Sequence, residues 1–364
     1  MKRLFIKMTC KDDLLSNYNY EIPEELIAQK PVENRQDSRL FVVNRKTQKF
    51  YHRKFSDITE YFSTGDCLII NITKVVPSRL LGRKKSGGKV EVLFLDPCQK
   101  DEYYKVLIKP FISVGKKAYF ENGYECEIMS KTESGETIVR FNKSGILKFL
   151  QEHGIMPLPP YIKRKGGLAR ELSDFDRERY QTIYAKTLGA IATPTAGLHF
   201  TENILKTFKE KGINIATLTL HVGWGTFKSI TAAELKNHNM LPEKFTIDKT
   251  NAEIINLAIN NNKRIAAVGT TSVRALESAA GKVGFSKNDK TFIKDCSEET
   301  SIFIYPGYKF KIINTLVTNL HLPKSTPLIM ASAFSSREIM LKAYKEAVKE
   351  KYRFFSYGDS MLIL

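Results

Sequence analysis

Four short segments place a histidine, an arginine or a carboxylate among small and hydroxyl residues, the mixture needed to hold a polar ligand and move a proton. In segment 194–201 (PTAGLHFT), Thr195 and Gly197 let a ligand approach the backbone, and His199 is a candidate acid, base or donor. A purely structural role for His199 is the competing reading, and Thr201 reads as the N-cap of a helix. In segment 221–227, His221 precedes Gly223, Trp224 and Gly225. This G-x-G lacks the third glycine of a dinucleotide fingerprint, so it marks a ligand loop only weakly, and Trp224 either stacks on a base or packs. In segment 269–277, Thr270, Thr271 and Ser272 open a strand-to-helix turn whose N–H groups suit a carboxylate or phosphate. Arg274 would assist there, or pair with Glu277 one turn on. The fourth group is His321 in TNLHLPKS together with Asp359 in FSYGDSM. Asp359 suits orienting a histidine or binding a ribose hydroxyl, and equally capping a turn.

These segments need elements to position them. From about residue 180, helix and strand signals alternate: helix 202–211 before strand 213–221, and helix 252–260 before strand 264–269, which runs into helix 272–280. A strand at 302–305 and a long helix at 336–351 follow. In that helix Ile339, Met340, Ala343, Tyr344, Ala347 and Val348 recur at helical spacing as core packing. Upstream come a helical turn at 23–29, a strand in FVVNR and a buried strand at 67–71. Between them, short strands at 89–95, 104–108, 118–120 and 137–141 alternate with glycine turns, and a helix at 145–153 follows. The expected fold is therefore an α/β domain, Rossmann-like with a mixed sheet, formed by 1–73 and 157–364. An all-β barrel domain at 74–156 interrupts it.

Lys and Arg total 57 against 39 Asp and Glu, a net charge of +18, which attracts polyanions. Two basic clusters read as loops suited to phosphate contact, or as solvated charge: Arg79, Arg83, Lys84 and Lys85, and Lys163, Arg164 and Lys165. Five scattered cysteines without a C-x-x-C pair argue against a disulfide framework and a zinc site. The six histidines lack metal-ligand spacing, so no metal is expected. The first residues are too short in apolar core for a signal peptide, and no apolar run reaches membrane-spanning length. A cytoplasmic protein with no membrane partner is expected.

Read in order, YEIPEELIAQKP, DSRLFVVNR, GGKVEVLFL, MPLPPYI, PTAGLHFT, TLHVGWGTF, VGTTSVRALE, TNLHLPKS and KYRFFSYGDSMLI resemble the S-adenosylmethionine:tRNA ribosyltransferase-isomerase family of queuosine biosynthesis. The resemblance runs from about Leu14 to the end. It implies transfer and isomerisation of the ribosyl part of S-adenosylmethionine onto 7-aminomethyl-7-deazaguanine at the tRNA wobble position, giving epoxyqueuosine. It implies tRNA and S-adenosylmethionine as partners, the latter consumed as co-substrate, with no metal or redox cofactor, and the chain is expected to act as a monomer. His199, His221, His321 and Asp359 become the catalytic candidates. Two family strings differ here. N-D-T-R-V-x-P-A-R-L is replaced by a stretch with Ile72 and Lys74, and H-x-M-H-x-E by one with Leu241. These departures motivate an alternative, a divergent or non-catalytic RNA-binding paralogue. The glycine loops alone also leave room for a methyltransferase.

Overall fold

The computed structural model of the protein describes residues 11–98, 102–133, 135–164 and 172–364. Cys67–Asn71, sequence CLIIN, is buried at every position, as befits a strand flanked by strands and covered on both faces. It belongs to a nine-stranded sheet. Across the sheet the order is Cys296–Thr300, Glu243–Ile247, Asn214–Leu220, Cys67–Asn71, Ile265–Val268, Thr315–Asn319, Ser360–Ile363, Arg39–Asn44 and Lys49–Lys54. The four strands from Asn214–Leu220 to Thr315–Asn319 run parallel, while Ser360–Ile363 is antiparallel to its neighbour Thr315–Asn319. The sheet is therefore mixed.

Helix starts follow local capping chemistry. Thr201 accepts from the Ile204 N–H to open Glu202–Glu210, Asp248 caps Lys249–Asn260, and Ser336 caps Arg337–Lys349. The strand expected at 302–305 is absent. The Ile302 carbonyl accepts from Arg274 Nε at 3.2 Å rather than joining a ladder, and the strand lies earlier, at Cys296–Thr300.

A closed antiparallel barrel is built from Arg79–Lys84, Lys89–Phe94, Tyr103–Lys109, Lys117–Tyr119, Glu125–Lys131 and Thr137–Phe141. Period-two alternation turns Val90, Val92 and Phe94 inward, where Phe94 meets Tyr104 and Phe141. The basic stretch that reads as a loop at Arg79 is thus barrel wall. Leu80 enters the core, and Gly82 lies so close to its neighbours that an added Cβ would sit 2.6 Å from the Tyr119 carbonyl oxygen. Contacts divide the chain into two compact units. One takes the described residues up to Asn71, with Thr195–Leu218 and Lys228–Leu364; the other takes those of Ile72–Pro194, with Thr219–Phe227. Among the described residues no helix is long and apolar enough to cross a membrane.

Candidate active site

The carboxyl ends of parallel strands are where α/β sheets bind ligands. In the sheet unit, Asn71 ends one such strand, Gly269 follows the next and Asn319 ends the third. Gly269 has φ +84°, which favours glycine, and the chain turns there directly into helix Thr270–Lys282 with no side-chain cap. The first-turn N–H groups of that helix thus face outward without a capping side chain, as an anion site requires. Asn71 Nδ2 donates to Thr271 Oγ1 at 3.4 Å. The 195–199 turn packs alongside, with Ala196 Cβ 3.8 Å from the position of a Cβ on Gly269. Thr195, Thr270 and Thr271 stay partly exposed, whereas Gly197 and Ser272 are buried. Ser272 Oγ donates backward to the Val268 carbonyl at 2.7 Å.

His199 lies beneath this edge with both ring nitrogens engaged. Ser38 Oγ donates to the Arg35 carbonyl at 3.1 Å, so its oxygen accepts from His199 Nδ1 at 2.8 Å. Nε2 then accepts from Asn319 Nδ2 at 3.2 Å, whose other hydrogen goes to the Phe355 carbonyl at 3.0 Å. Burial, aided by the Arg35 and Arg353 charges, pushes His199 down to about 3. His321 is tied similarly. Its Nε2 meets Thr318 Oγ1 at 2.7 Å, its backbone N–H donates to the Tyr344 hydroxyl at 2.8 Å, and its backbone carbonyl accepts from the Tyr20 hydroxyl. Desolvation pushes it down to about 3 as well. Both imidazoles are neutral at physiological pH.

That neutrality has a measurable consequence. In the unfolded chain each imidazole titrates near ~6.5, whereas in the folded protein protonation waits until about 3. Between these values only the unfolded state gains protons. Their contribution to stability is complete above a pH of about 6.5 and falls as pH drops, by about 1.4 kcal/mol per pH unit for each imidazole. Urea midpoints measured between neutral and mildly acidic pH therefore decline, and His199→Asn flattens the decline. A midpoint that rises on acidification contradicts this assignment.

Asp359 is buried, and both carboxylate oxygens accept backbone N–H groups, from Arg39 at 2.9 Å and Arg353 at 2.8 Å. Burial raises its carboxyl above the ordinary range against the opposing pull of these N–H groups. Its bonds tie together two segments of the sheet unit. Arg274 and Glu277 do not pair with each other. Arg274 meets Glu243 in a buried ion pair and donates to the Thr300 and Ile302 carbonyls. Glu277 accepts from the Tyr308 hydroxyl and from the N–H groups of Lys311, Ile312 and Ile313.

The barrel-containing unit holds a second constellation. His221 Nδ1 meets Thr73 Oγ1 at 2.8 Å, and the Gly189 backbone lies so close to the ring that an added Cβ would come within 2.6 Å of it. His221, Gly223, Trp224 and Gly225 are all partly exposed. Of the basic residues, Arg164 is committed to a buried two-point contact with Asp176, at 3.0 and 2.9 Å. Arg79 reaches the Leu158 carbonyl and Glu91. Arg83, Lys85 and Lys163 are exposed, Lys84 is half-buried, and Lys165 lies outside the described residues. Ser38, Asn71, Thr73, Gly189 and Asn319 were not singled out by sequence reasoning. Asn319 alone lies in a histidine-bearing string; Ser38 belongs to DSRLFVVNR, and Asn71 and Thr73 to the stretch with Ile72 and Lys74. Among the described residues no group of three or more His, Cys, Asp or Glu side chains could hold a metal ion.

Residues 15–363 match the family described as Queuosine biosynthesis protein. The chain is 46% identical over 354 residues to the S-adenosylmethionine:tRNA ribosyltransferase-isomerase of Thermoanaerobacter sp. (strain X514), covering 96% of this chain and 99% of that one. It is 45% identical over 352 residues to the enzyme of that name from Clostridioides difficile (strain 630), covering 95% and 98%. The crystal structure of the S-adenosylmethionine tRNA ribosyltransferase from Thermotoga maritima is similar with a TM-score of 0.52 and 32% identity, covering 96% of this chain and 100% of that one. Similarity of this extent settles the family: the chain belongs to the queuosine biosynthesis proteins.

Proposed function

We propose that the protein transfers and isomerises the ribosyl group of S-adenosylmethionine onto 7-aminomethyl-7-deazaguanine at the tRNA wobble position, giving epoxyqueuosine and releasing adenine and methionine. One observation carries the reading. Segments far apart in sequence meet at one edge of the sheet: Ser38 and Asn319 on His199, Asn71 on Thr271, and Ala196 against Gly269. Such convergence builds a site for a charged small molecule. The N–H groups opening helix Thr270–Lys282, with Thr270 and Thr271, suit the methionine carboxylate.

The reaction needs a base for a C5′ proton acidified by the sulfonium, attack of the aminomethyl nitrogen at C1′, and a donor as adenine leaves. His199 and His321 are held neutral by burial, with both ring nitrogens of His199 and Nε2 of His321 bonded, which suits positioning rather than proton transfer. His221 differs from both: it is partly exposed on a glycine-flanked loop, with Nδ1 held by Thr73. We assign it the proton-transfer role. The departures from the family strings leave no unpaired buried charge. Ile72 is half-buried, Lys74 is exposed and Leu241 is 36% exposed. This favours a working enzyme over an inactive paralogue. Incubated with S-adenosylmethionine and tRNA bearing the deazaguanine precursor, the protein releases adenine and shifts the mass of the wobble nucleoside. Adenine release without precursor tRNA, or none with it, would falsify the proposal.

A further inference from the structure

The barrel carries an exposed aromatic that packing does not explain. Between strands Tyr103–Lys109 and Lys117–Tyr119 the chain anchors Ile112 in the barrel core, while Phe111 and Val114 are each 58% exposed. The loop is fixed rather than dangling. Gly115 N–H donates to the Ile128 carbonyl at 2.8 Å, and Lys116 N–H to that of Ser113 at 3.1 Å. Lys84 Nζ reaches across to the Phe111 carbonyl at 3.1 Å, and Lys131 Nζ stands 5.1 Å from the centre of the Phe111 ring.

Several barrel cations are held in ion pairs: Arg79 with Glu91, Lys105 with Glu136, Lys117 with Glu125 and Arg140 with Glu127. Among the described residues, no carboxylate lies within ion-pair distance of Lys84 or Lys131. A ring held open on a rigid loop, between two uncancelled cations, is the combination that stacks an unpaired base and grips its phosphates.

We propose that Phe111, flanked by Lys84 and Lys131, is an RNA contact that stacks on an unpaired base of the tRNA other than the one that reacts. This rests on the tRNA-modifying reading for its partner and on the barrel geometry for its place. Lysine supplies charge without reading sequence, so the contact adds affinity and little base preference.

The test is tRNA affinity, measured by filter binding across a salt series for the full chain and its variants. Phe111→Ala weakens binding about tenfold, and Phe111→Trp restores it. The double variant Lys84→Ala with Lys131→Ala lowers the steepness of log K against log salt by about two. Phe111 is largely exposed, so alanine removes little packing. Unchanged affinity of Phe111→Ala at every salt concentration overturns the proposal. So does a variant that loses self-association while keeping its tRNA affinity, since the patch would then face a second copy. Wild-type protein that releases no adenine, yet binds tRNA in this Phe111-dependent way, sinks the catalytic reading and supports this contact.

Discussion

Replacing His221 with alanine lowers adenine release by about 100-fold or more, the span that loss of a general acid–base group produces. The expectation comes from comparing three imidazoles. His199 and His321 are desolvated to about 3, so neither exchanges protons usefully near neutrality. His221 is partly exposed, and its ring is oriented by Thr73 and by the close approach of Gly189. Because the loss falls on proton transfer rather than binding, tRNA affinity of His221→Ala stays close to wild type. Thr73→Val, which removes the orienting hydroxyl, gives a smaller drop. If His221→Ala retains full turnover while His199→Ala and His321→Ala fold normally and lose it, the assignment is wrong.

The second large effect is on stability. Arg274→Met destabilises the protein by about 3–5 kcal/mol, because it leaves the Glu243 carboxylate buried without its cation. Both side chains are at least nine-tenths buried, and Arg274 also serves the carbonyls of Thr300, at the end of strand Cys296–Thr300, and of Ile302 beyond it. Replacing both partners, Arg274→Met with Glu243→Leu, recovers most of the loss, since apolar groups of similar volume carry no desolvation penalty. Urea unfolding measures both. An Arg274→Met protein as stable as wild type, but with weakened S-adenosylmethionine binding, would return Arg274 to the ligand.

What the sequence disclosed depended on how local the signal was. Capped, amphipathic helices such as Arg337–Lys349 and alternating strands such as Lys89–Phe94 are visible in their own residues. Helix Thr326–Phe334 is not. Six of its nine residues are buried, so it lacks the polar face that reveals a period. Arg79–Lys84 hides its inward Leu80 and Gly82 among basic residues and reads as a loop. The candidate site divides in the same way. The uncapped turn at Gly269 was legible because glycine and hydroxyls mark it locally. That Ser38 and Asn319 would saturate His199, and that Arg274 would choose Glu243 over the residue one turn away, depends on strands distant in sequence. No spacing rule reaches that far.

One measurement tests the central claim most directly. S-adenosylmethionine is labelled separately in its ribosyl carbons and in its methyl group, and each form is incubated with the protein and precursor-bearing tRNA. The account predicts ribosyl label in the tRNA and methyl label in released methionine. Methyl label in the tRNA, with the ribosyl label left in solution, would contradict it.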